Sequence, residues 1–345
     1  MIAYAIRRLL FLPLVFLVIS LMVFSLQMLL TPTQRIAAYA PSPDYLKGGA
    51  EQVEMLIAKY GLDDPFVVQY GRWVENIVHG NLGWSETARM PVGEALFALL
   101  PATAELTLLA FIPGLFLAIW LGTKSAVHHN KSIDHVVRVF TILGWSFPTF
   151  VLGLMMLMIF YGAVNWFPPG RLSQWAILEI GTTNFVRYTG MNTVDSILNG
   201  NWRIFLDSMR HLVAPVITLI YVNVASMTRI MRSSMLETLR QDYVRTARAK
   251  GVHEQIVRHK HARRNALLPV VTIAGMEIAF MMGGVVIAET VFDYRGLGQF
   301  AAQAAAQLDF PAVLGFALYF ALLLVFANLV VDLLYVRLDP RVKLR

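Results

Sequence analysis

The stretch Asp242–Pro269, DYVRTARAKGVHEQIVRHKHARRNALLP, decides how the rest of the chain is read. It lies between two apolar runs of membrane length, Leu212–Thr228 and Ala266–Ala288, and it crowds cations around a single glycine. Small or apolar residues recur on one side at Leu236, Leu239, Tyr243 and Ala247, with Val244 displaced, while Arg240, Arg245, Arg248 and Lys250 spread over the rest. This spacing predicts a helix over 237–250. Gly251 adopts left-handed dihedrals at little cost and so can end that helix and turn the chain. Val252, Ile256 and Val257 then predict a second short helix. Asn265 and Pro269 return the chain to the membrane, with proline in a first helical turn. The expected object is a helix–turn–helix on the membrane surface with a small apolar knob at Ala247–Val252. A loop that only anchored its neighbours to anionic headgroups would need neither the glycine nor the small residues.

Hydrophobic residues make up 57% of the 345 residues and charged ones only 15%, a composition that excludes an ordinary soluble domain. A membrane-crossing helix needs roughly 20 apolar residues. Intervals almost free of charge occur at Leu9–Leu30, Leu106–Thr123, Val139–Gly170, Leu212–Thr228, Ala266–Ala288 and Phe310–Val331. The fold class expected is therefore an all-α polytopic membrane protein with six transmembrane helices. Pro113, Pro148 and Pro215 fall inside spans, where a freed carbonyl must find another partner. Placing both termini in the cytoplasm puts nineteen of the 29 basic residues inside, including ten between Arg229 and Arg264. The segment Thr31–Ala104 carries five basic and eight acidic residues and goes outside. The net charge of +7 is thus accounted for by membrane sidedness and calls for no nucleic acid.

The chain divides into an N-terminal helix (1–30), an extracytoplasmic region with surface helices (31–92), a five-helix core (93–336) and a short cytoplasmic tail (337–345), with the basic loop at 229–268. Within the second region Glu51–Tyr60 and Phe66–Val78 carry amphipathic patterns and are expected over the mouth of the bundle. Ala38-Tyr39-Ala40 has the form of a signal-cleavage site, but Pro41 follows and the preceding apolar run is too long for a signal peptide. The first helix is therefore read as retained.

The motif Tyr243-Val244-Arg245-Thr246-Ala247-Arg248-Ala249-Lys250-Gly251, with His261 and Arg264-Asn265-Ala266-Leu267-Leu268-Pro269, resembles the EAA loop of bacterial ABC importer permeases. The form is that of the oligopeptide/dipeptide/nickel subfamily. Arg245, Thr246 and Ala247 stand where the general pattern has Glu-Ala-Ala. Further matches run in order along the chain: Arg7-Arg8-Leu9-Leu10, Tyr60-Gly61-Leu62-Asp63, Gly80-Asn81-Leu82-Gly83, Leu100-Pro101-Ala102-Thr103, Ser146-Phe147-Pro148-Thr149-Phe150, Gly296-Leu297-Gly298 and Asp339-Pro340-Arg341. Arg295 departs from the proline that often precedes Gly-Leu-Gly.

The resemblance implies a type I ABC importer permease fold. It also implies a second related permease subunit, two cytoplasmic ABC ATPase subunits and an extracytoplasmic substrate-binding protein as partners, with membrane lipid around them. The ATPase-coupling residues it points to are Arg245, Thr246, Ala247, Arg248, Ala249, Lys250, Gly251, Val252, His253 and Glu254. The cargo is peptides or solutes of similar size, with oligosaccharides or nickel complexes as alternatives in the same fold.

No Gly-x-x-x-x-Gly-Lys-Ser/Thr sequence occurs, so this chain has no phosphate-cradling loop. No cofactor is expected on it; ATP and Mg belong to partner subunits. Cysteine is absent, and no span carries histidines at i,i+4, so no catalytic or metal residue is expected. Glu277, inside the fifth span, contacts a cationic substrate end, hydrogen-bonds Asn223, or is a paired packing residue. Asn223 and Ser226 line the path or glue helices together. Met227, Met231 and Met235 form a stripe that suits either an adaptable wall or core packing. A stand-alone secondary transporter would need paired intramembrane charges or repeat symmetry, and a membrane enzyme would need a catalytic cluster; neither appears.

Overall fold

The computed structural model describes residues 2–36 and 49–338. The Ala38-Tyr39-Ala40 triplet and the Asp339-Pro340-Arg341 tail lie outside them. Helix α1 spans Ile2–Gln27 and is followed by a single turn, α2 (Pro32–Arg35). The two amphipathic segments form α3 (Gly49–Tyr60) and α4 (Phe66–Val78), as their periodicity predicts. Phe24 of α1 meets Phe66, Tyr70 and Trp73 of α4 at ring separations of 5.3–5.5 Å. Leu314 and Leu318 close that cluster, so α4 is seated on α1 and the last helix. One element departs from the all-helical expectation: β1 (Trp84–Ser85) pairs antiparallel with β2 (Met90–Pro91). Asp309 holds this hairpin, accepting from Ser85 Oγ at 2.6 Å and Thr87 N at 2.9 Å.

The core begins with α5 (Val92–Val127), α6 (Ser132–Ser146) and α7 (Thr149–Met156), the last continued as a π-helix over Leu157–Ala163. The single span read over Val139–Gly170 is in fact broken. Its two halves meet at 98° across Phe147 and Pro148, because proline cannot continue the hydrogen-bond ladder and pushes the residue before it to an extended conformation. Short helices α8 (Gln174–Ile180) and α9 (Asn192–Leu198) follow, and then α10 (Trp202–Leu239), α11 (Asp242–Ala249) and α12 (Glu254–Ile256). A second π-stretch, Val257–Ala262, leads into α13 (Arg263–Met282), and α14 (Val286–Val291), α15 (Leu297–Ala306) and α16 (Phe310–Leu338) complete the chain. Pro269 lies seven residues into α13, not in a first turn, because the helix starts earlier than the apolar pattern shows. Among the described residues four helical lengths are long and apolar enough to cross a membrane, or five if the bent pair counts as one.

Helix α10 is the spine of the core, packed along α5. The packing requires Gly122: a Cβ there would lie 2.6 Å from Met231 Cβ and 2.9 Å from the Thr228 carbonyl. Small residues let membrane helices approach this closely and gain dispersion contact where lipid removes the hydrophobic driving force. Met231 and Met235 are fully buried beside Ala126, Ala262 and Ala266. The methionine stripe is thus a packing seam.

Two buried carboxylate networks bracket the charge-free stretch Leu106–Thr123 of α5. At one end Glu105 accepts from Thr193 N (2.6 Å), Thr193 Oγ1 (2.8 Å), Tyr294 OH (2.6 Å) and Arg171 Nη2 (3.1 Å). At the other, Asp134 accepts from Ser125 Oγ (2.5 Å), Asn130 N (3.0 Å), and Arg232 through Nε (2.7 Å) and Nη2 (2.9 Å). Glu105 and Ser125 are twenty residues apart on one helix, about 30 Å at 1.5 Å per residue. That is the thickness of a hydrocarbon core. The paired charges therefore sit where the apolar length ends, and the basic loop emerges at the Asp134 end.

Candidate functional site

The loop after α10 folds into a closed elbow. The helix expected over 237–250 breaks at Arg240 and Gln241, and α11 starts afresh at Asp242. Its buried face is Val244 and Ala247, which pack on Val257 with Val252 beside them. Val244 is therefore the centre of the apolar face and not a displaced member, while Tyr243 is 42% exposed. Ala247–Val252 is likewise no protruding knob, since Ala247 faces inward.

Gly251 has φ +73°, and the chain around it makes both bonds of a Schellman ending. Val252 N donates to the Ala247 carbonyl at 3.2 Å and Gly251 N to the Arg248 carbonyl at 2.9 Å. A Cβ at Gly251 would meet nothing within 4 Å, so backbone conformation alone selects glycine here.

Polar contacts lock the angle between the two arms. Glu254 accepts from Arg248 Nε (3.1 Å) and Nη2 (3.0 Å) across the turn, and from Arg258 Nε (3.0 Å) on its own side. The Arg248 and Arg258 guanidiniums hold the Glu254 carboxyl below the usual carboxylate range. A depressed carboxylate stabilises the fold above its unfolded pKa and loses that contribution as pH falls through the folded one, so the clamp is intact at neutral pH. Asn265 Nδ2 donates to Tyr243 OH at 2.8 Å and to the His261 carbonyl at 3.2 Å, which ties α11 to the start of α13. The face left outward carries Arg245, Thr246, Ala249, Lys250 and His253, all exposed, with Arg245 paired to the exposed Asp242. This exposed face is polar, and Arg245 and Lys250 give it positive charge.

The intramembrane candidates separate. Asn223 and Glu277 line one open cavity of about 640 Å³, walled by Ile273, Met276, Phe280 and Val285. They do not bond to each other: Asn223 Nδ2 approaches Met281 Sδ at 3.2 Å. Met227 is 2% exposed and packs with Ala118 and Phe111, so it faces α5 and not this cavity. Ser226 is half-buried and off the cavity lining as well. The buried ties of Asp134 and Glu105 were missed in the sequence; their signal was a lone carboxylate at each margin of an apolar run.

Among the described residues no group of three or more His, Asp or Glu side chains is placed to hold a metal ion. What remains is an apolar bundle with an open polar-floored cavity and a stiff basic elbow. Residues 114–344 match the family of binding-protein-dependent transport system inner membrane components, and residues 1–107 match the N-terminal region of the same membrane components. The chain belongs to this family. It is a multi-pass cell-membrane transport subunit and not an enzyme.

Among curated relatives of this inner membrane component, the probable D,D-dipeptide transport system permease protein of Escherichia coli is 41% identical over 291 residues, 84% of either chain. The dipeptide transport system permease protein of Alkalihalophilus pseudofirmus is 35% identical over 346 residues, 99% of this chain and 100% of its own. The oligopeptide transport system permease protein of Bacillus subtilis is 38% identical over 84% of each.

Proposed function

We propose that this chain is one half of the translocation path of an ATP-driven peptide importer, and that the Gly251 elbow is where an ATPase subunit grips it. The observation that carries the reading is the elbow's closure. Val244, Ala247 and Val257 turn inward, Glu254 ties the two arms, and the outward face carries Arg245, Thr246, Ala249, Lys250 and His253. A lipid anchor would need no fixed angle. Residues Arg245 to Glu254 form the contact, with ATP and Mg held by two partner ATPases. A second, related permease subunit completes the path and an extracytoplasmic binding protein delivers cargo. The relatives named for dipeptide and oligopeptide transport favour peptides over oligosaccharides or nickel complexes.

In this reading α1, α5, the bent α6–α7 pair, α10, α13 and α16 are six spans with both termini cytoplasmic. The division into N-terminal helix, external region, five-helix core and tail follows from that topology.

The native chain has no cysteine, so a single introduced thiol reports cleanly. Ala249→Cys, at the exposed end of α11, is expected to cross-link to an ATPase subunit in the assembled transporter. Absence of that product in a complex still coupling ATP hydrolysis to uptake removes the docking assignment. For the path, Glu277→Ala is expected to slow uptake about tenfold, the order of one charge-assisted hydrogen bond, with basal ATP hydrolysis unchanged. Wild-type uptake would take Glu277 off the route.

A further inference from the structure

We infer that the seam between α5 and α13 holds an anionic membrane phospholipid. Where α13 leaves the elbow, a cavity of about 720 Å³ opens between the two helices, within the size range of small-molecule sites. Its wall is apolar, formed by Phe116, Ile119, Trp120 and Leu267, and its rim is cationic, with Lys124, Arg258 and Arg263 and no carboxylate in the lining. Arg258 already serves Glu254, but neither Lys124 nor Arg263 forms an ion pair with any described carboxylate. Lys124 Nζ lies 4.3 Å from the centre of the exposed Trp120 ring. An indole and an ammonium at the margin of an apolar helix are the pair that settles at headgroup depth.

A second observation points to an acyl chain rather than a free anion. A separate cavity of about 430 Å³, lined almost wholly by apolar side chains, lies along the same two helices toward the middle of the bundle, with α16 as its third wall. Leu115 of that cavity is one helical turn from Ile119 of the first, and Val271 is one turn from Leu267. Grooves stacked in this way offer cations for a phosphate and, one helical turn further along both helices, an apolar groove for the chain attached to it. The outward face of α11 is not part of the seam, so lipid and docking surfaces are separate.

The test uses the full chain in phosphatidylcholine nanodiscs, with Trp120 emission isolated as the difference from Trp120→Phe. Phosphatidylglycerol carrying brominated acyl chains is expected to quench that emission more strongly than brominated phosphatidylcholine. At about 1 kcal/mol per basic residue near the surface, K124Q/R263Q lowers the apparent affinity about 30-fold, and each single variant about fivefold. The single variants decide the matter if the double one does not insert. Equal quenching by the two lipids overturns the inference, as does a phosphatidylglycerol preference that survives the substitutions. Loss of the preference on adding inorganic phosphate overturns it too, because the site would then take a free anion.

Discussion

Gly251→Pro abolishes substrate-stimulated ATP hydrolysis and uptake in the assembled transporter while the chain still inserts. The native φ of +73° is closed to proline, whose ring holds φ near −65°. The substitution also removes the N–H that caps the Arg248 carbonyl. The α11 arm must then leave at another angle, which separates Arg248 from Glu254 and Ala247 from Val257. Because a Cβ at this position meets nothing, the graded variants isolate the backbone term. Gly251→Asn keeps most coupling, since asparagine tolerates the left-handed region, and Gly251→Ala loses part of it at a cost of roughly 1–2 kcal/mol. Ala247→Arg reaches the same end by another route, forcing a charge between Val244 and Val257. Coupled uptake and hydrolysis measured across the series decide it; wild-type uptake in the proline variant would sink the elbow as the transmission point.

How much of this was legible in the sequence depends on the kind of signal. Apolar length is a one-dimensional property, and the core spans at Leu106, Leu212, Ala266 and Phe310 were placed from it. The amphipathic pairs Val53/Ile57 and Tyr70/Val74 likewise located α3 and α4, because burial on a neighbouring surface leaves a helical period, although Val67 of the same pattern is exposed. The break at Pro148 was visible as a proline, yet its 98° bend was not, since a kinked span and a broken one share the same composition. Within the elbow, glycine and charge spacing gave the turn, but Val244 was misplaced. Its partner Val257 lies across the turn, and a pattern read along one helix cannot register a contact between two. The Asp134–Arg232 pair spans ninety-eight residues, and a lone carboxylate beside an apolar run does not name its partner. Met227 was ambiguous for the reverse reason: methionine suits either a core or a wall, and it is the burial of Met227, Met231 and Met235 in the folded chain that assigns the stripe to packing.

The second large effect is expected at Glu105. This carboxylate is 2% exposed and joins three separate parts of the chain at the end opposite the elbow. Thr193 brings in α9, Arg171 the segment before α8, and Tyr294 the turn between α14 and α15. Arg171 also donates to the Gly190 carbonyl and lies 5.4 Å from the Tyr294 ring centre. Glu105→Ala leaves the Arg171 guanidinium without its counter-charge and strands the Thr193 N–H and the Tyr294 hydroxyl in a buried space. Removing one partner of a buried pair costs about 3–5 kcal/mol, far more than the net worth of the pair itself. The 168–201 segment then loosens first, because Glu105 is its tie to α5. Thermal unfolding in detergent should shift down, and proteolysis should open that segment before the helical core. Glu105→Gln keeps the shape and loses less, and adding Arg171→Met to it restores part of the deficit, since the uncompensated charge is gone. A Glu105→Ala protein with wild-type melting and protease resistance would mean that the three segments are held by packing alone.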